Sequence, residues 1–133
     1  MSSNVKKALI GGGILLVIFA VFFGGDDVKN TESQFKVTAV DMMAEWYENE
    51  IKWENKYMGK IGEVSGSIQS IGLDYSKDAY IQLNTGDILW QVKCVFPDSN
   101  EIVELSEGDD VTFKGKVHST SGDIQLEDCQ LVK

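Results

Sequence analysis

The chain has 133 residues, 43% of them hydrophobic and 25% charged, which suits one small domain and is too apolar for a disordered chain. A single Pro and 13 Gly exclude a collagen-like or low-complexity sequence, and 12 lysines against 21 acids, with no arginine, oppose a polyanion-binding surface. The charge is unevenly placed: residues 1–25 hold only Lys6 and Lys7, so the remaining 10 lysines stand against all 21 acids and leave that part of the chain at −11.

Between Lys7 and Asp26 run 18 uncharged residues, ALIGGGILLVIFAVFFGG. As a helix they would span about 27 Å, close to the thickness of a hydrocarbon core. A helix apolar around its whole circumference would otherwise need a far larger protein to bury it. The exit from this run lacks paired small residues for signal cleavage, and no Cys follows it to accept a lipid. Residues 8–25 are therefore expected to be an uncleaved, single-pass signal anchor. Lys6 and Lys7 before the span, and Asp26 and Asp27 after it, predict that residues 1–7 stay in the cytoplasm and that the acidic remainder lies outside it.

Residues 26–36 read as a polar tether and 37–133 as the folded domain. Thr38, with Asp41 three residues on, predicts a helix start. Val40, Met43, Ala44, Tyr47 and Ile51 form a helical stripe running to about Tyr57, with Trp46 and Trp53 on a neighbouring one. These aromatics read as packing between helix and sheet rather than as a ligand cage.

After Gly59 the period drops to two. A strand is expected over about residues 60–71, with Gly66 marking a bulge or bend. Turn residues at 72–78 precede a second strand over Tyr80–Leu83. Trp90, Val92, Cys94 and Phe96 alternate in a third, which Pro97 ends. A short helical turn is expected over 98–106. Val111, Phe113, Gly115 and Val117 then mark a fourth strand. In the last strand Ile124 and Leu126 keep one phase while Cys129 and Leu131 fall in the other, which predicts a bulge near Asp128. The expected class is mainly β with α: a transmembrane helix, then a helix packed on a five-stranded Greek-key barrel of the OB type, with an SH3-like barrel or an open sheet as competitors.

The stretches VTAVDMMAEWYENE (residues 37–50), NKYMGK (55–60), VKCVF (92–96), EGDDVTFKGKV (107–117) and LEDCQL (126–131) resemble the tRNA_anti-like OB-fold family. The resemblance covers about residues 37–132. It implies a small bacterial or phage protein carried behind a lipoprotein signal or a membrane segment, of largely unknown function. The family name reflects likeness to anticodon-binding domains and does not itself imply tRNA binding.

An OB-fold prompts the expectation of nucleic-acid binding, for which Tyr75, Tyr80 and Trp90 are the candidate stacking aromatics. The −11 charge opposes that role, and Lys114 and Lys116 make one small basic spot. Catalysis has little support, because the single His118 has no partner at metal-like spacing and the serines lack a nucleophile-elbow context. No enzyme activity, cofactor or metal is expected. Cys94 and Cys129 fall on strands that neighbour each other in an OB barrel, so a disulfide outside the cytoplasm is expected, with two buried thiols as the alternative. The sequence reading is thus a non-enzymatic, membrane-anchored, extracytoplasmic module that binds an envelope protein, a peptide or a small ligand. A periplasmic small-ligand or cation binder and a single-stranded nucleic-acid binder are the alternatives.

Overall fold

The computed structural model describes residues 27–133. The segments read as cytoplasmic (1–7) and membrane-spanning (8–25) lie outside them. Among the described residues no helix is long and apolar enough to cross a membrane.

The described chain begins docked on the domain. Val28 is buried, the Gln34 amide donates to the carbonyl of Ile61 at 2.7 Å, and the Glu63 amide donates to that of Phe35 at 2.9 Å. Strand β1 (Lys36–Thr38) follows and leads directly into helix α1 (Ala39–Glu48). As expected, Thr38 caps that helix, its hydroxyl accepting from the Asp41 amide at 3.1 Å. The single helix expected to Tyr57 is instead two. Asn49 adopts extended backbone angles (φ −161°, ψ 98°), and its side chain accepts from the Lys52 amide, starting α2 (Glu50–Tyr57). An Asn competes well with a helical interior because its side chain can cap a new first turn.

The buried helix face also differs from the expected stripe. Of Val40, Met43, Ala44, Tyr47 and Ile51, only Met43 is buried; Ala39, Met42 and Trp53 join it in the core, with Trp46 half-buried. Trp53 is packed in the core and the half-buried Trp46 against it, as expected, and Tyr57 joins them. The Trp53 indole donates to the Met42 carbonyl at 3.1 Å, and the Tyr57 hydroxyl donates to the Glu45 carboxylate at 3.0 Å.

Strands β2 (Ile61–Leu73), β3 (Ala79–Leu83), β4 (Val92–Phe96), β5 (Asp110–Ser119) and β6 (Ile124–Leu131) form the barrel. Its order is β2-β3-β4-β6-β5, closed by pairing of β5 back onto β2. Long β2 makes closure possible: Ile61–Ser67 pair with β5, and Ile68–Leu73 pair with β3. The β4–β6 pair is parallel, Val92 opposite Ile124, and the other barrel pairs are antiparallel. This closed five-stranded barrel with its two helices fits the OB-fold. β1, unforeseen in the sequence, adds a parallel pairing to β2 at Glu63–Ser65.

The irregularity expected at Gly66 lies slightly downstream, where the β2–β3 register shifts between Ile68 and Ser70. The bulge expected near Asp128 is present: Asp128 has φ 54°, and the facing β5 register shifts between Lys114 and Lys116. Through this bulge Ile124, Leu126 and Cys129 all face the core. The turn expected after Pro97 contains a 3₁₀ segment at Ser99–Glu101 followed by buried Ile102.

Candidate functional site

The outer face of β3 and β4 and the β2–β3 turn form a cleft of about 550 Å³ lined by Leu73, Asp74, Tyr75, Lys77, Tyr80, Gln82 and Lys93. The turn is built by one carboxylate. Asp74 Oδ1 accepts from the amides of Ser76 at 2.9 Å and Asp78 at 3.0 Å, and the Asp74 carbonyl accepts from the amide of Lys77, whose φ is 68°. With the backbone so held, Tyr75 stands fully exposed above the cleft.

Tyr80 and Gln82 share the outward face of β3 because strand side chains alternate, and Lys93 answers them from β4, in register opposite Gln82. The Lys93 ammonium lies 5.0 Å from the centroid of the Tyr80 ring, a cation–π distance. Gly72 leaves space beneath the Tyr80 hydroxyl, which stands 3.6 Å from where a Cβ would be. Gln82 is held at both ends. Its Oε1 accepts from the Ser70 hydroxyl at 2.6 Å, and its amide nitrogen donates to Asp123 Oδ2 at 2.7 Å. Asp123 Oδ1 accepts from the Gln91 amide at 2.8 Å, tying the β5–β6 turn to the start of β4. The result is a fixed polar floor, two tyrosines and two lysines, an arrangement that can stack on a planar group and pair with an anion.

Of the three expected face aromatics, Tyr75 and Tyr80 line this cleft and Trp90 does not. Trp90 precedes β4 rather than lying in it, and its ring covers Gly122, where a Cβ would meet Cζ3 at 3.1 Å. Lys77, Lys93 and Gln82 are not among the expected site residues; the alternation of Tyr80 and Gln82 with buried Ile81, and of Lys93 with buried Cys94, is the sequence signal that places Tyr80, Gln82 and Lys93 outward. Lys114 and Lys116 lie on β5, away from the cleft, with Lys114 in register opposite Glu63. His118 Nδ1 is 3.9 Å from Glu127 Oε1, and among the described residues no three His, Cys, Asp or Glu side chains are grouped to hold a metal.

Cys94 and Cys129 come to disulfide distance, with their Cα atoms 6.0 Å apart, and both are buried. A larger cleft of about 740 Å³ lies between the start of α1 and strands β2 and β5, lined mainly by hydroxyl and aliphatic side chains including Thr38, Val40, Ser65, Thr112 and Val132. It lacks the cationic and aromatic groups of the first. The larger of these two clefts is therefore not where the binding chemistry concentrates.

No curated protein matches the chain. Among solved structures it is similar to a Klebsiella pneumoniae lipoprotein described provisionally as nucleic acid-binding, with 22% identity over 73% of this chain and 91% of that one, and a TM-score of 0.58. Likeness at that identity speaks to the fold. The family model for tRNA_anti-like matches residues 16–130, and with the closed barrel described above this chain belongs to the tRNA_anti-like family of OB-fold proteins.

Proposed function

We propose that this chain is a non-enzymatic binding module, held at the membrane by residues 8–25 with its OB-fold domain outside the cytoplasm, and that the β3–β4 cleft is its ligand seat. The observation that carries the reading is Lys93 poised over Tyr80, beside Tyr75 and Lys77, on a face whose polar floor is already hydrogen-bonded. Such groups favour a ligand or peptide that joins a planar or aromatic part to a negative one. The lipoprotein neighbour and the anchor-like run of residues 8–25 support placement at an envelope membrane.

Single-stranded nucleic acid is the second reading, favoured by the paired tyrosines and lysines and by the description of that neighbour. It must overcome the acidic field of the domain, which disfavours a long polyanion more than a small ligand.

Both readings are tested on the full chain in phosphatidylcholine nanodiscs, titrated with an acidic tyrosine-containing peptide and with an oligothymidylate. Peptide binding that Tyr80→Ala and Lys93→Ala each weaken supports the first. Oligonucleotide binding at moderate salt, lost in the same variants, replaces it with the second. Binding of neither probe at this face overturns the assignment of the cleft. A reporter fused after Lys133 that reads out in the cytoplasm would overturn the topology.

A further inference from the structure

The outer stripe of α1, expected to be buried, is exposed. Val40 is 54% and Tyr47 57% exposed, with Ala44 between them on the same side of the helix. The stripe adjoins the loop between β3 and β4 at two places. Val40 lines one cleft together with Asn84 and Gly86, and the Tyr47 hydroxyl donates to the Asp87 carboxylate. From Asp87 the chain turns outward and presents Ile88 at 93% and Leu89 at 71% exposure. Together Val40, Tyr47, Ile88 and Leu89 leave on the order of 500 Å² of mainly apolar surface exposed, comparable to the largest apolar patch of a typical monomer.

The loop holds this shape by its own hydrogen bonds. Asp87 Oδ1 accepts from the amides of Leu89 at 2.7 Å and Trp90 at 3.2 Å, and the Asp87 carbonyl accepts from the Gln91 side chain at 3.0 Å. The Thr85 hydroxyl donates to the Trp90 carbonyl at 2.7 Å. Ordering entropy for presenting Ile88 and Leu89 is thus already spent, which is the condition for an efficient docking element. Asp87, the single charge in the loop from Asn84 to Gln91, is turned into these bonds, so the tip itself is electrically quiet.

One border of the patch carries charge of a single sign. Along α1, Asp41 and Glu48 are exposed beside the Val40–Ala44–Tyr47 stripe, and the helix has no basic residue. We propose that this surface docks a protein partner through a cationic amphipathic helix, whose apolar face covers Tyr47, Ile88 and Leu89 while its Lys or Arg edge meets Asp41 and Glu48. A second copy of the chain would set like acidic borders against each other, and an anionic lipid surface would repel them. The surface is separate from the β3–β4 cleft, so either can fail without the other.

The test uses the full chain in phosphatidylcholine nanodiscs, with empty discs as the blank and a helical peptide of Leu and Lys at amphipathic spacing as the probe. Binding is followed through the Trp90 indole signal, and through the Ile88 methyl wherever Ile88 is retained. The expected result is binding that Ile88→Ser and Leu89→Ser each weaken by about tenfold, with Asp41→Lys/Glu48→Lys transferring preference to a Leu and Glu peptide. Both loop positions are exposed, and unchanged thermal melts show that the variants remain folded. Peptide affinity indifferent to Ile88 and Leu89 overturns the proposal. So does a dimer that Leu89→Ser dissociates, which identifies a second copy, or vesicle binding that Leu89→Ser abolishes, which identifies lipid.

Discussion

A Cβ atom on Gly115 would stand 2.6 Å from the Sγ of Cys129 and 3.2 Å from the Sγ of Cys94. Strand β5 therefore passes the two sulfurs with no room for any side chain. Gly115→Ala should destabilise the domain by roughly 1–3 kcal/mol through overpacking. Thermal or urea unfolding measures it. A larger loss is expected if the two cysteines are forced apart, and in that case free thiol becomes detectable in the folded protein.

The same two sulfurs close a sequence separation of 35 residues. A disulfide there would stabilise the domain by about 3–4 kcal/mol in the chain-entropy account. Alkylation in denaturant should add no mass before reduction and two adducts after it, and the Cys94→Ala/Cys129→Ala variant should unfold at correspondingly lower urea. Two adducts without reduction would identify the pair as buried thiols.

Asn49 separates α1 from α2, its side chain accepting from the Lys52 amide at 3.1 Å. Asn49→Ala should cost about 1 kcal/mol, since Ala offers no cap to the first turn of α2. Asn49→Asp keeps an acceptor and should hold near-native stability in the same urea titration. Equal losses in the two variants would show that capping is not what sets the break.

The hydroxyl of Tyr47 holds the Asp87 carboxyl below its ordinary range, assisted by the Leu89 amide. A lowered carboxylate pKa adds stability that is present above the unfolded value of about 4 and is lost as pH falls through the folded value. The 84–91 loop should therefore keep its form at pH 5 and open on stronger acidification, seen as movement of the Leu89 and Trp90 amide signals. Tyr47→Phe should raise the pH at which this occurs. For Tyr47 itself, the Asp87 bond raises the phenol pKa, so its contribution is fully present below the unfolded value of about 10 and is lost as pH rises through the higher folded value.

Much of the barrel was legible in the residues because strand periodicity is local. The switch of phase between Leu126 and Cys129 marked the bulge at Asp128, and Thr38 followed by Asp41 marked the start of α1. The candidate cleft was half legible. Tyr75 and Tyr80 stood out as aromatics near an expected turn, whereas Lys93 gains meaning only when β4 brings it over Tyr80. Trp90 kept the strand's alternation yet sits in the loop, because Asp87 and Thr85 bond its backbone before β4 begins.

The residues alone carry the charge division at Asp26, the succession of the barrel strands along the chain and the pairing chemistry open to Cys94 and Cys129. Tertiary structure alone decided which side of α1 is buried. The helix has two apolar stripes, Ala39–Met42–Met43–Trp46 and Val40–Ala44–Tyr47, and helical period cannot choose between them. Packing on the barrel buries the first, with the Cβ of Ala39 3.4 Å from where a Cβ on Gly66 would lie, and leaves the second to the solvent.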